Sequence, residues 1–145
     1  MKTRQQLGKM SRRKGASFEL KVAKLMTTYT GQKWSRSPYS GAGYIPGDIV
    51  RIDPNCPNFP YVIELKNRAD INLSRVFHNP MFLQEYLNPT QIFMFNNGGQ
   101  VLVIIPSELW DTAVDYQPMD IWASFTLNFN GNPCQYLLLT LHTFC

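Results

Sequence analysis

Helical periodicity occupies one end of this chain and strand periodicity most of the rest, and that switch limits the fold more than any other feature. From Ser11 onward, Phe18, Val22, Leu25 and Tyr29 recur at helical spacing, and Gly31 supplies a stop. Beyond it the repeat shortens. Lys33–Tyr39 reads as a strand, Ser40-Gly41-Ala42-Gly43 as a turn, and Gly47–Ile52 as a short strand. A Pro- and Asn-rich loop separates that strand from Tyr61–Lys66. Residues 74–87 predict a second helix, with Pro80 in conflict with its first half. Gln91–Phe95 and Gln100–Ile105 flank Asn96-Asn97-Gly98-Gly99, a hairpin signal, and Ser107–Val114 predicts a short capped helix. Ala123, Phe125, Leu127 and Phe129 then alternate with polar residues, Asn130-Gly131 turns the chain, and Cys134–Phe144 returns as a strand. This order predicts an α/β domain: a mixed, mostly antiparallel central sheet flanked by helices, with an extra C-terminal β-hairpin over 121–145. A length of 145 residues with 44% apolar content suits a single domain over 1–145, with residues 1–10 as a flexible basic arm.

Charge is distributed unevenly. Residues 1–36 hold ten Lys and Arg against the single acid Glu19, a net of +9, whereas 37–145 hold four against nine acids, a net of −5. A basic leading segment ahead of an acidic body suggests a polyanion grip beside a site that takes cations; a solvated, solubilising segment is the plainer alternative. There is no run of about 18 apolar residues for a membrane span and no apolar core of a secretory signal, so a cytoplasmic protein is expected. Cys56, Cys134 and Cys145 are odd in number and widely spaced, which fits reduced, incidental thiols better than a disulfide or zinc framework.

Glu64 and Lys66 lie two apart on an apolar strand, so both leave one face while Leu65 turns into the core. Charges there are costly unless the face opens into a cleft. Asp48 begins the preceding strand, and antiparallel pairing of the two strands would bring its carboxylate to Glu64. Two close carboxylates raise each other's pKa, and a divalent cation relieves the repulsion; oxygen ligands suit Mg²⁺, with Mn²⁺ able to substitute. Glu19, at the edge of the first helix's apolar stripe, is placed to reach the sheet. Taken singly, each of these residues is ordinary surface decoration; their combination in this order points to phosphodiester chemistry. Arg68 and Arg75 read as a solvated face, and Gln84-Glu85 as a minor candidate on the second helix.

Asp48 with Glu64-Leu65-Lys66 resembles the PD-(D/E)XK nuclease motif, Pro46-Gly47-Asp48 standing where that family usually has Pro-Asp. The likeness is closest to archaeal-type Holliday junction resolvases and their viral relatives. Arg13-Lys14-Gly15-Ala16-Ser17-Phe18-Glu19 is similar to the start of their first helix, and Trp34–Gly41 to their Arg-x-x-x-Ser-Gly turn. The resemblance implies a restriction-endonuclease-like fold and a metal-dependent DNA endonuclease acting on branched DNA, four-way junctions in particular, as a homodimer. It implies Glu19, Asp48 and Glu64 as metal-binding acids, Lys66 as the catalytic lysine, and Ser40 as an accessory catalytic residue. Arg12, Arg13, Lys14 and Arg36 would grip the DNA. A same-fold nuclease acting on other DNA in restriction or repair, and a non-catalytic DNA-binding module, are the alternatives.

Overall fold

The computed structural model describes residues 1–38, 47–52, 62–111 and 121–145. Its first element, α1 (Arg4–Thr30), runs 27 residues and begins seven positions earlier than the apolar pattern suggests. The arm expected over 1–10 is therefore largely helical. The cause is local: Thr3 and Gln6 form a reciprocal capping box, the Gln6 amide donating to the Thr3 hydroxyl and the Thr3 amide to the Gln6 side chain. Apolar burial cannot account for this stretch, because the buried residues of α1 begin at Phe18. Removing the cap with Thr3→Ala should weaken the first turns by about 1 kcal/mol. Amide exchange should then quicken over residues 4–17 without a shift in the global denaturation midpoint, a pattern readable by hydrogen-exchange mass spectrometry.

Gly31 ends α1 in the left-handed conformation, as expected. The strands β1 (Lys33–Arg36) and β2 (Ile49–Ile52) form an antiparallel pair. Trp34 ties this pair to α1: its amide donates to Thr27 Oγ1 and its indole N–H to Thr30 Oγ1. The remaining strands are β3 (Val62–Lys66), β4 (Gln91–Asn97), β5 (Gln100–Pro106), β6 (Ala123–Phe129) and β7 (Asn132–Thr140). They form a five-stranded sheet in the order β3-β4-β5-β7-β6, with β3 and β4 parallel and the other pairs antiparallel. The mixed, mostly antiparallel sheet of a restriction-endonuclease-like fold is therefore present. The C-terminal hairpin is not an appendage, since β7 lies inside the sheet between β5 and β6. The last predicted strand stops at Thr140, whose hydroxyl caps a final helical turn, α4 (Leu141–Phe144).

Strand alternation divides the apolar residues between two faces. Ile63, Leu65, Met94, Val103 and Leu139 join Phe18, Val22 and Met26 of α1. Phe93, Phe95, Leu102, Ile104 and Leu138 meet Val76 and Leu83 on the other side. Those two come from α2 (Leu73–His78) and a 3₁₀ turn at Pro80–Glu85, which replace the single helix expected over 74–87. Pro80 has no amide hydrogen to continue the helix and restricts Asn79, whose φ of −151° lies outside the helical region. Asn96-Asn97-Gly98-Gly99 makes the expected tight turn, with Gly98 and Gly99 both at positive φ. The short helix α3 (Ser107–Asp111) starts where expected and places the buried Trp110 in the α1-side core. Tyr29 is the exception in the α1 stripe: it is exposed and meets His142 edge-on, while Ala23 and Met26 are buried in the core.

Candidate active site

The two sheets meet at Asp48. Its carbonyl accepts the Ser37 amide at 2.9 Å, continuing the β1–β2 ladder, and its own amide donates to the Ile63 carbonyl of β3 at 2.9 Å. Its carboxylate accepts the Leu65 amide at 2.7 Å. The full antiparallel pairing expected between the Asp48 and Glu64 strands is absent among the described residues, since β2 and β3 belong to separate sheets. These bonds do the positioning instead, and they hold the carboxylate against the strand that carries Glu64 and Lys66. Gly47 makes the approach possible. It has a φ of +93°, and a Cβ there would lie 3.0 Å from Ile63 O, 3.2 Å from Ile63 N and 3.3 Å from Val62 Cγ1.

On β3, Ile63 and Leu65 are buried and Glu64 and Lys66 partly buried. This is the predicted alternation, and it occurs on a strand with no further neighbour in its own sheet beyond it. Glu64 senses the other predicted site residues. Burial first, and then the Asp48 carboxylate, push its carboxyl above the ordinary value of 4.5; Lys66 pulls it down, while a hydrogen bond with Asp48 and the Glu19 charge push it up again. Asp48, Glu64, Lys66 and Glu19 are thus close enough to influence one carboxyl group. Glu19 has its own partner: Arg36 Nε lies 2.6 Å from Glu19 Oε2, with 14% of the Glu19 side chain exposed.

Among the described residues, no group of three or more His, Cys, Asp or Glu side chains is gathered to hold a metal. The Asp48–Glu64 pair still fits Mg²⁺, which commonly takes one or two carboxylates and completes its octahedron with water and substrate phosphate. The raised Glu64 pKa provides a check. Without metal, the folded protein holds the Glu64 proton more tightly than the unfolded chain does. Stability should therefore fall as pH rises from 4.5 through the elevated folded value. A divalent cation held by the pair would oppose that loss, because it favours the ionised form, and Glu64→Gln should remove both effects. Melting curves against pH, with and without Mg²⁺, measure this.

Other predicted residues separate. Arg12, Arg13 and Arg36 line one open groove of about 1010 Å³ along α1, together with Glu19, whereas the exposed Lys14 is not among its walls. Lys21, on the lysine-rich side of α1, donates instead to the Gly99 carbonyl at 2.7 Å. Ser40, with its glycine turn, lies outside the described residues, as do Pro46 and Cys56. Cys134 and Cys145 are free thiols. Arg68 and Arg75 share Asp70 and rest over the rings of Tyr86 and Phe82. Gln84 donates to the Asn128 carbonyl of β6. The sequence reading missed two features, the Glu19–Arg36 pair and the presence of Arg4 and Lys9 on the groove wall. Helical spacing from Glu19 back toward the N-terminus was the signal for the second.

A family model described as "Phage putative PDDEXK endonuclease" matches residues 10–144. No curated protein and no solved structure matches the chain. No helix among the described residues is long and apolar enough to cross a membrane.

Proposed function

Because this chain belongs to the phage PDDEXK endonuclease family, whose model spans residues 10–144, we propose that it hydrolyses DNA phosphodiesters with Mg²⁺ at Asp48 and Glu64. The observation that carries this reading is the convergence of the Asp48 carboxylate, just ahead of β2 and bonded to the Leu65 amide, with the Glu64 carboxylate on β3 and the Lys66 amine two positions beyond it. The ion supplies Lewis-acid polarisation of the scissile phosphate and a bound water of lowered pKa. Mn²⁺ can take its place.

The chain's own groups do the rest. Asp48 is aimed by the Leu65 amide, which fixes its carboxylate against β3 beside Glu64. Lys66 donates to the attacking water or to a phosphate oxygen and offsets charge that grows in the transition state. Glu19 completes the acidic shell once Arg36 turns from it to a DNA phosphate. Ser40 is the accessory catalytic group, by its resemblance to the resolvase Arg-x-x-x-Ser-Gly pattern. Arg12, Arg13 and Lys14 hold the flanking strand.

The favoured substrate is branched DNA, four-way junctions in particular, cut by a homodimer in the host-cell cytoplasm. The resolvase-like spacing of Arg13–Glu19 and Trp34–Gly41 supports this choice. The test incubates a labelled four-way junction, a linear duplex and a supercoiled plasmid with protein and Mg²⁺, and sizes the protein by sedimentation. Paired symmetric nicks confined to the junction, made by a dimer, are the expected result. Equal rates on linear duplex would reassign the protein as a general or restriction-like endonuclease, and binding without cleavage would leave a DNA-binding module.

A further inference from the structure

One stripe runs the length of α1. Gly8, Arg12, Gly15, Glu19, Val22 and Met26 alternate at spacings of four and three and so share a face. The face changes character along its length. Val22 and Met26 are fully buried against the sheet, Glu19 pairs with Arg36 at the edge of the candidate active site, and Arg12, Gly8 and Gly15 border open space. The first half of α1 therefore overhangs the domain, with the face it would use for packing directed into the groove.

That groove is built for a polyanion. Arg4, Lys9, Arg12, Arg13 and Arg36 line it, and Glu19, already paired with Arg36, is its carboxylate among the described residues. No acid occupies the first turn of α1, and Arg4 stands there against the helix dipole, which favours anions at that end. The glycines add a second indication. Glycine is the least helix-favouring residue after proline, yet a Cβ at Gly8 or Gly15 would meet nothing within 4 Å, and neither residue has a positive φ. Nothing in the described fold requires glycine at either position.

We propose that the overhanging half of α1 is a rail for the sugar–phosphate backbone of a duplex flank leading away from the scissile phosphate. Gly8 and Gly15 let that backbone approach the helix axis. Arg12 sits between them, with Arg4, Lys9 and Arg13 along the sides. From Glu19 back to Arg4 the helix rises roughly 22 Å, so the rail spans about 6 base pairs of duplex on one side of the cut. This rests on the endonuclease reading and adds a flank-length requirement to it.

The test measures binding to a duplex of about 30 base pairs by fluorescence anisotropy over a salt series, without metal, alongside cleavage with Mg²⁺. The variant Arg4→Gln/Lys9→Gln/Arg12→Gln should reduce the slope of log affinity against log salt by about 2 to 3. Lys24→Gln/Lys33→Gln, which removes charges away from the groove, should leave the slope near wild type. Gly8→Ala/Gly15→Ala should raise helix stability by exchange protection yet weaken DNA binding about tenfold, a combination that loss of fold cannot produce. Cleavage should drop sharply when the duplex flank is cut below about 6 base pairs. An unchanged slope in the triple variant, or unchanged affinity in the glycine variant, overturns the rail while wild-type cleavage keeps the endonuclease reading intact. Absence of any wild-type cleavage instead removes the endonuclease reading. A glycine variant that turns a dimer into a monomer with unaltered DNA affinity would assign this face to helix pairing and overturn the proposal.

Discussion

Asp48→Asn is expected to slow single-turnover DNA cleavage by about 10³-fold, some 4 kcal/mol of transition-state stabilisation, with the denaturation midpoint unchanged or slightly raised. Asparagine keeps a carbonyl oxygen where the carboxylate accepts the Leu65 amide at 2.7 Å, so the local backbone stays bonded. It removes the negative charge that a divalent cation needs, and with it part of the repulsion that raises the Glu64 pKa. Asp48→Ala should give a similar loss of rate with an added cost of about 1–3 kcal/mol in stability, because the partly buried Leu65 amide loses its acceptor. Comparing the two by urea denaturation and rapid-quench cleavage separates the electrostatic role of Asp48 from its structural one. A normal rate in the asparagine variant would displace the chemistry from this site.

The features legible in the sequence were those governed by short-range rules. Period-two alternation placed Leu65 inward and Glu64 and Lys66 together on the opposite face, and β3 shows that alternation, with Leu65 buried and the charged pair half-buried. The Asn-Asn-Gly-Gly turn and the stop at Gly31 followed from the few residues that accept positive φ. Pro80 signalled a break within 74–87 but put the doubt on the wrong half: Leu73–His78 before it is α-helical, and the stretch from Pro80 onward is the part that tightens into a 3₁₀ turn.

Features set by distant partners were not legible. Apolar periodicity locates a helix by the face it buries, so it could not register the first half of α1, which buries almost nothing and is fastened by Thr3 and Gln6. Alternation in the C-terminal segment identified two strands but not their neighbours, and β7 turned out to be internal to the sheet. The same limit applies at the site. Order and spacing single out candidate acids, whereas the way Asp48 reaches β3, through its backbone and the Leu65 amide instead of a full ladder, depends on how two separate sheets abut. Arg36 likewise read as a DNA contact, and its ion pair with Glu19, 17 positions earlier in the chain, required the packing of α1 on β1.

Gly47 turns that junction into the second large prediction. Gly47→Ala should lower stability by about 2–4 kcal/mol and cleavage by about 10²-fold or more. The φ of +93° disfavours any side chain, and the added methyl would meet the Ile63 carbonyl at 3.0 Å, a backbone atom with no rotamer through which to yield. Relief requires the chain to move off β3, carrying the Asp48 amide from Ile63 and the carboxylate from Leu65. Gly99 is the control: its φ of +94° is equally positive, but a Cβ there would meet nothing within 4 Å. Gly99→Ala should therefore cost about 1–2 kcal/mol for its backbone conformation and leave the cleavage rate of the folded protein unchanged. Rates measured well below both melting temperatures distinguish the cases. If the two alanine variants lose stability alike and both cleave normally, Gly47 is an ordinary turn residue and the close contact with β3 does not position Asp48. If only Gly47→Ala loses its rate, the glycine between the motif proline and its aspartate is the residue that allows two sheets to share one site.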